Sequence, residues 1–419
     1  MSAVRSQVLG LLMPRMAGGN PYGDLASLPD EVLWPLHRDG LDPVDLLAET
    51  RGREPVSRLP APFGVRVWLV TGYEPVREVL CALEGFSNDF AKFAGRIRIG
   101  AGADPGGLGF SDPPVHTRLR RMLTPEFTMR RLARLQPRIE AIVEDRLDAL
   151  SAAGVPADLW QEWALPIPAL TICELLGVPV ADRAYFQQLS TDRFDLAGGA
   201  RASLDAVADS LAYFRELITK ERRDPGEGLL GALVRSHGAE IDDRELAGLA
   251  DGVLTGGLET SASMLALGAL VLMTDATMAA RMRAGDDVDA TVEELLRYLS
   301  VVQVAFPRVA VRDLQIAGVP IRAGDVVMCS LSGANRDRLF GDDPDRCDPD
   351  RGPGRSHLAF GHGVHRCIGA ELARMELRTA LPALLRRFPL LRPAIDPAEV
   401  RFRRASIVFG VDCLPVRTT

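Results

Sequence analysis

One cysteine stands in a setting that suits metal chemistry. Cys367 ends the turn FGHGVHRC at residues 360–367, and a helical pattern begins close after it, near Ala370. The free N–H groups and the dipole at a helix N-terminus favour a thiolate over a thiol. The glycines of the turn let the backbone approach a flat ligand, and Phe360 can shield the sulfur from water. A metal-ligating sulfur needs such an environment, although a lone cysteine in a glycine-rich turn is, taken by itself, more often structural.

A second group of reactive side chains lies in the sequence GGLETS at residues 256–261. Asp242 and Glu245 predict a capping box at the start of a helix that is apolar almost all round and therefore buried. Two adjacent glycines inside a helix cost about 2 kcal/mol relative to alanine, so something should compensate. We expect them to make room for a flat cofactor and dioxygen, with the Thr260 hydroxyl hydrogen-bonding to the bound oxygen. The alternative is a helix-packing glycine pair, with Thr260 bonding back to its own helix.

Two polar pairs have helical spacing. Glu294 and Arg297 are three residues apart and therefore share one helix face. As an exposed ion pair they would stabilise the protein by only a few tenths of a kcal/mol; the alternative is that they belong to a larger network. His116 and Arg120 are four apart and repel each other mildly unless an anion lies between them. A carboxylate ligand would remove that repulsion; a solvated basic face is the alternative.

The elements that must position these residues are mainly helical. Apolar residues recur at three- and four-residue spacing over 130–150, 204–222, 244–273 and 371–387. Short strands are predicted at 65–70, 314–316 and 326–329. The glycine-rich stretch 90–110 is predicted to be a loop. No repeat or linker divides the chain, which predicts one domain, mainly α with small β-sheets.

Composition limits the class of function. With 419 residues and 47% hydrophobic positions the chain can bury a large core, and its net charge of −7 argues against a nucleic-acid partner. The longest apolar stretch, 264–273, is shorter than the roughly 20 residues that cross a bilayer. No secretory signal is evident, so a cytoplasmic protein without a membrane span is expected. Six scattered cysteines without a CxxC pair disfavour disulfides and a zinc site.

Three motifs resemble those of one family. Residues 360–369 fit F-G-x-G-x-x-x-C-x-G, which resembles the haem-binding signature of the cytochrome P-450 family. Residues 256–261 resemble that family's oxygen-binding motif, A/G-G-x-E/D-T-T/S, with Gly256 for a common alanine and Leu258 for a histidine or aromatic residue. Residues 294–297 resemble its ExxR element. The motifs occur in the family's order and are closest to soluble bacterial members.

The resemblance runs from Val65 to Val416 and implies a single cytochrome P-450 domain over 1–419. Residues 1–64 would be the N-terminal segment and first helices, and 65–419 the haem-binding body. Haem b would lie buried between the long central helix and the cysteine loop, with Cys367 as the axial iron ligand. Further contacts with the haem are implied for Gly257, Phe360 and Gly369 and, at its propionates, for His116, Arg120, Arg308 and His365.

The resemblance also implies roles for the acidic residues. Glu259 and Thr260 would organise proton delivery for O–O bond cleavage. Glu294 and Arg297 would hold the haem-binding core together with the later segments 335–337 and 348–351. Cys347 stands where the family commonly has an aromatic residue, which leaves the packing at that joint open.

These motifs imply a monooxygenase of secondary metabolism, which inserts one oxygen atom from O2 into an organic molecule by hydroxylation or epoxidation. The sequence shows no flavin or iron–sulfur module, so electrons from NAD(P)H are expected through a separate ferredoxin and its reductase. Between Arg118 and Arg138 there are seven arginines and one acid, Glu126, a run that could dock an acidic partner. A monomer is expected.

Substrate contacts are expected from apolar residues, which favours a lipophilic small molecule. They are Phe93, Ile97, Leu254, Leu258, Val304, Phe306, Ile407 and Val408. Two other functions stay open: an oxidative coupling enzyme that joins aromatic rings on the same scaffold, and a non-catalytic haem-thiolate ligand sensor. The Glu259–Thr260 pair favours catalysis, since a sensor needs no proton relay. Hydroxylation and coupling are separated by the mass of the product, not by the sequence.

Overall fold

The computed structural model describes residues 30–60, 65–82, 84–89, 107–186, 199–351, 355–404 and 406–419, with the backbone alone from 199 to 208. Two predicted substrate contacts, Phe93 and Ile97, lie outside the described residues, as does most of the predicted glycine-rich loop. The described chain is a mainly helical body with small sheets attached. The predicted fold class is therefore confirmed.

The helices carry most of the described residues. They are α1 (Asp30–Leu33), α2 (Asp45–Arg53), α3 (Tyr73–Cys81), α4 (Val115–Leu123), α5 (Met129–Leu132), α6 (Gln136–Ala152), α7 (Pro166–Leu176), α8 (Gly199–Arg223), α9 (Leu229–His237), α10 (Asp243–Thr274), α11 (Ala276–Ala284), α12 (Val288–Leu299), α13 (Leu331–Ala334) and α14 (Ala370–Arg387).

The strands are short. They are β1 (Arg38–Asp39), β2 (Asp42–Pro43), β3 (Val56–Leu59), β4 (Val67–Val70), β5 (Phe86–Ser87), β6 (Ala157–Asp158), β7 (Arg308–Ala310), β8 (Leu314–Ile316), β9 (Val319–Ile321), β10 (Val326–Cys329), β11 (Arg392–Pro393) and β12 (Pro415–Arg417). The widest described sheet has the order β3-β4-β10-β7-β5, with β10 parallel to β4 and antiparallel to β7.

Helix α10 forms the centre of the main core. It begins at the predicted capping box: the Asp242 carboxylate accepts the Glu245 N–H at 2.8 Å, and the Glu245 carboxylate accepts the Asp242 N–H at 3.4 Å. It packs against α7, α8 and α14. By length and composition alone α10 could cross a membrane, but 72% of its apolar window is buried in the protein. A buried core helix of a soluble protein meets the same criterion.

Most predicted elements agree with the structure, and the strand predicted at 65–70 corresponds to β4, which begins at Val67. Patterns at 204–222, 244–273 and 371–387 correspond to α8, α10 and α14, and those at 314–316 and 326–329 to β8 and β10. The pattern predicted as one helix over 130–150 spans two helices, α5 and α6, which the 3-10 turn Ala133–Leu135 connects. Pro137 has no N–H and fits the first turn of a helix rather than its interior.

Candidate active site

The cysteine turn is shaped by two glycines with left-handed backbone. Gly361 and Gly363 have φ of +68° and +70°, where an L side chain is strained. A Cβ at Gly363 would also clash with the Leu80 carbonyl oxygen at the end of α3. The Cys367 N–H donates to the Phe360 carbonyl at 2.8 Å and closes the turn. The turn thus lies tightly on α3 and presents Cys367 just before α14.

The surroundings of the Cys367 thiol act on its pKa in two directions. Desolvation raises the pKa above its ordinary value, while the Gly369 N–H and the guanidinium groups of Arg120, Arg366 and Arg374 lower it. By surface area the residue as a whole is nevertheless exposed. A metal cation displaces the thiol proton outright. These donors therefore fit a thiolate that becomes an anion on binding a metal.

The four basic residues predicted to bind carboxylates meet at one place. His116 and Arg120 lie on α4, Arg308 opens β7, and the His365 ring in the cysteine turn lies 4.1 Å from the His116 ring. Burial and the neighbouring cations lower the pKa of His116 and lower that of His365 to about 3. His116 Nε2 and Arg308 Nε are buried and lack a hydrogen-bond partner among the described residues. Unpaired buried donors are costly, so this cluster fits an anion such as the carboxylates of a haem.

One face of α10 is open along Gly252, Gly256 and Thr260. A Cβ at either glycine would meet no atom of the described residues within 4 Å. The Thr260 hydroxyl donates to the Gly256 carbonyl at 2.7 Å, so Thr260 bonds back to its own helix, which was the alternative stated for this residue. The hydroxyl oxygen can still accept a hydrogen bond. Gly257 instead faces α7, where a Cβ would lie 3.0 Å from Ile172 Cδ1. The glycine at the open face is therefore Gly256, and a haem contact for Gly257 stays a prediction.

The Glu259 carboxylate is held by the C-terminal segment. The carboxylate accepts a hydrogen bond from Arg403 at 2.7 Å. Arg403 Nε also donates to Asp412 at 2.5 Å, and the central carbon of the guanidinium lies 4.7 Å from the centre of the Trp160 ring. Burial raises the pKa of Glu259 to about 7, against the charge of Arg403 and together with that of Asp412. Asp412 is exposed. A carboxyl group that titrates near neutrality, connected to solvent through an ion pair, can take up and release protons.

The Glu294–Arg297 pair is a buried network, as the resemblance implies. The two side chains meet at 2.7 Å, with 7% and 3% of their surface exposed. Arg297 also donates to the carbonyl oxygens of Asn335, Pro344 and Arg346. Glu294 accepts the Asp348 N–H at 2.8 Å and lies 3.4 Å from Arg351. Removing one partner would leave the other charged and buried, so this pair stabilises the segments that precede the cysteine turn.

Two predicted pocket residues are wrong. Leu254 and Leu258 are 1% and 0% exposed and belong to the main core. The helical repeat of 3.6 residues places them on the face of α10 opposite Gly256 and Thr260. They therefore stabilise α10 from behind rather than line the open face.

The other predicted pocket residues lie on the segments that follow α12 and near the C-terminus. Val304 and Ile407 share a small apolar cluster, and Val408 forms a bridge with Val302. Phe306 is 41% exposed, and its ring lies 4.6 Å from that of Phe110. A Cβ at Gly107 would lie 3.3 Å from the Gly248 carbonyl oxygen of α10. The segment carrying Phe110 thus returns to α10 and forms an aromatic pair with Phe306.

Sequence reasoning missed three charged residues: Arg374, Glu376 and Arg403. Glu376 on α14 is buried, with hydroxyl groups of Ser261 and Thr171 nearby, and burial raises its pKa to about 7. Its signal was a charged residue four positions from both Leu372 and Ala380, on the buried face of α14. Arg403 has no comparable pattern around it.

Comparisons with known proteins assign the family. A family model described as Cytochrome P450 matches residues 288–408. The chain is 43% identical to Cytochrome P450 FAS1 of Rhodococcoides fascians, over 92% of this chain and 98% of that protein. It is 39% identical to Mycinamicin IV hydroxylase/epoxidase of Micromonospora griseorubida, over 90% and 96%. It is also similar to the crystal structure of OxyC, a cytochrome P450 implicated in an oxidative C-C coupling reaction during vancomycin biosynthesis, with a TM-score of 0.81 and 38% identity over 91% and 96% of the chains.

The chain belongs to the cytochrome P450 family. It is an oxidoreductase of the monooxygenase class, and the names of its relatives agree with a place in secondary metabolism. The family is haem-thiolate and uses O2 and electrons from redox partners. The unpaired donors of His116 and Arg308 and the Cys367 thiol before α14 fit that cofactor.

Proposed function

We propose that the protein inserts one oxygen atom from O2 into a mostly apolar small molecule, by hydroxylation or epoxidation. The observation that carries this proposal is the open face of α10 at Thr260, next to the largely buried carboxylate of Glu259, which pairs with Arg403 at 2.7 Å. A ligand sensor has no need of such a pair. The haem supplies the activation of O2 when it is bound.

The chain's own groups would hold the cofactor at two places. Cys367 would ligate the iron, with Phe360 and Gly369 beside it. The propionates would pair with His116, Arg120, Arg308 and His365, of which His116 and Arg308 have a buried nitrogen without a partner among the described residues. One Arg120 N–H already donates to the Arg366 carbonyl at 2.7 Å, so Arg120 would bind the propionate and tie α4 to the cysteine turn at once.

Proton supply would depend on Glu259 and Thr260, which are neighbours on α10. Arg403 keeps its own proton; it holds the largely buried Glu259 carboxylate in place and also pairs with the exposed Asp412. Thr260 is the group whose hydroxyl reaches the open face, so it would donate there after releasing the Gly256 carbonyl. Glu259, which holds a proton about half the time near neutrality, would then restore the proton.

The substrate is proposed to be lipophilic. Phe306 and Phe110 offer a flat apolar surface, and Val304, Ile407 and Val408 are likewise apolar. Apolar walls bind by excluding water and leave orientation to a few polar groups.

Electrons are proposed to come from a separate acidic ferredoxin and its reductase, with the enzyme acting as a cytoplasmic monomer. Four arginines of the predicted run already have partners in the chain: Arg118 with Glu245, Arg120 with the Arg366 carbonyl, and Arg131 and Arg134 with Glu126. The other three, Arg121, Arg130 and Arg138, are exposed and form no ion pair among the described residues. We call these three residues the basic stripe. They lie on α4, α5 and α6, and α6 packs against α14, the helix that follows the cysteine turn.

Oxidative coupling of aromatic rings is the second candidate. The similarity to OxyC favours it, and the Phe110–Phe306 pair could stack on an aromatic substrate. In coupling, two hydrogen atoms leave the substrate and no oxygen enters it.

The test begins with a substrate screen that follows the absorbance shift when a ligand displaces water from the ferric iron. Each hit is then incubated with ferredoxin, reductase, NAD(P)H and isotopically labelled dioxygen, and the product mass is measured. We expect the substrate mass plus one labelled oxygen atom. Loss of two hydrogen atoms without label would establish coupling instead, and tight binding without any product would establish a sensor. Turnover with NAD(P)H and no added partner would refute the proposed ferredoxin.

A further inference from the structure

We propose that Arg374 is a positioning residue of the metal-ligating turn: it clamps the Phe360 ring and places a positive charge near Cys367, so that the sulfur keeps the geometry in which it binds iron. This inference rests on Cys367 being the ligand, as in the proposed function.

Three hydrogen bonds hold the guanidinium group of Arg374. Its Nε and one terminal nitrogen donate to the two carboxylate oxygens of Glu293 at 2.5 and 2.9 Å, and the other terminal nitrogen donates to Glu371 at 2.9 Å. Such a bidentate pair sets the orientation of the guanidinium plane as well as its position. Arg374 is 9% exposed, so solvent does not compete strongly for these bonds.

The fixed guanidinium lies against the ring that begins the cysteine turn. Its central carbon is 4.7 Å from the centre of the Phe360 ring, within the range of a cation–π contact. The Phe360 carbonyl in turn accepts the Cys367 N–H at 2.8 Å. Arg374 therefore acts on Cys367 through one aromatic residue, and its charge also reaches the thiol directly through space.

A histidine supports the same ring from another direction. His357 Nε2 lies 3.2 Å from Glu293, and its ring centre is 5.9 Å from that of Phe360. Burial alone would raise the pKa of Glu293, but the hydrogen bonds from Arg374 and His357 lower it to about 2. Glu293 is thus ionised at any working pH and keeps Arg374 in place.

A neighbouring ion pair supplies a matched control. Arg378 lies one turn further along α14 and pairs with Asp289 of α12 at 2.5 Å. Like Arg374 and Glu293, this pair joins α14 to α12. Arg378 has no described contact with Phe360 or Cys367, so its removal tests the helix–helix contact alone.

The experiment compares the holoenzyme with Arg374→Gln, Arg374→Lys and Arg378→Gln. For each, the midpoint potential of the ferric–ferrous couple, the spectrum of the reduced carbon monoxide complex and the thermal unfolding are measured. Arg374→Gln should lower the potential, because a nearby positive charge favours the reduced and more negative state. It should also increase severalfold the fraction of the carbon monoxide complex that lacks thiolate ligation. Arg374→Lys should keep the potential and still increase that fraction, since lysine keeps the charge without the flat guanidinium.

The inference is overturned if Arg374→Gln resembles Arg378→Gln, with less stable protein but unchanged potential and spectrum. If Arg374→Gln does not fold, Glu293→Gln serves instead. It removes the carboxylate that orients the Arg374 guanidinium but leaves the arginine itself in the protein. An unchanged carbon monoxide spectrum of Glu293→Gln would equally reject the positioning role of Arg374. A wild-type protein without the thiolate spectrum would be a different failure, because it would remove Cys367 as the ligand and with it the proposed function.

Discussion

Thr260 has a single donor hydrogen, and the Gly256 carbonyl holds it. Thr260→Ala should therefore lower the product formed per NAD(P)H several-fold and release the remainder as peroxide, because proton delivery to the open face is lost. Thr260→Ser keeps the hydroxyl and should retain most of the coupling. Thr255→Ala is the control, since Thr255 also bonds back to its helix, at 2.8 Å to Asp251, but lies off the open face. Unchanged coupling in Thr260→Ala would remove the proton-relay role.

The acid beside Thr260 sets a pH dependence. If Glu259 supplies the proton, coupled turnover should fall as pH rises through about 7, where the carboxyl loses its proton. Arg403 lowers the pKa of Glu259 and Asp412 raises it. Arg403→Gln should therefore move the fall to higher pH and Asp412→Asn to lower pH. Profiles of kcat for product formation test both; shifts in the opposite directions, or none in either variant, would contradict the assignment.

The residues that could be found from the sequence are those whose partners are close along the chain. Type and spacing, together with the resemblance of three motifs to one family, indicated Cys367, Thr260 and the Glu294–Arg297 pair. Arg403 could not be found, because 144 residues separate it from Glu259 and no local pattern indicates their contact. Leu254 was assigned to the pocket because periodicity shows which residues share a face and not which face is open.

At the scale of elements, the cysteine turn depends on its contact with α3. Gly361→Ala should cost about 1–2 kcal/mol, which is the strain of an L residue in the left-handed region. No clash adds to this cost, since the new Cβ would meet no atom of the described part of the chain within 4 Å. Gly363→Ala carries the same strain and also a clash with the Leu80 carbonyl, so it should cost several kcal/mol more and displace the turn. Thermal unfolding and the ratio of haem to protein absorbance measure this. Equal effects of the two substitutions would contradict a tight contact with α3.

Element boundaries were predictable where a cap or a proline determines them. The capping box at Asp242 correctly predicted the start of α10, whereas the 3-10 turn Ala133–Leu135 between α5 and α6 was not recognised within a continuous apolar pattern. Pairing between elements was not predictable: β4 lies beside β10 in parallel, Val67 opposite Val326. The two strands are far apart in the sequence, so no turn between them fixes their register, and a run of four apolar residues is too short to specify it.

For the whole molecule, the distribution of charge decides how electrons arrive. The chain carries a net charge of −7, so an acidic partner is repelled by most of its surface and attracted by the basic stripe. Replacing Arg121, Arg130 and Arg138 with alanine should raise the KM for an acidic ferredoxin roughly tenfold at low salt, with little change in kcat. Arg401→Ala is the control, since Arg401 is exposed but lies outside the stripe.

Salt provides the second criterion for that docking site. Added salt screens exposed charges over about 10 Å at 0.1 M, so the wild-type KM should rise with ionic strength and converge on that of the triple variant. The stripe has no ion pairs to lose among the described residues, so the triple variant should unfold at nearly the wild-type temperature. A KM that is insensitive both to salt and to the three substitutions would place the electron donor on another surface and leave the haem site unaffected.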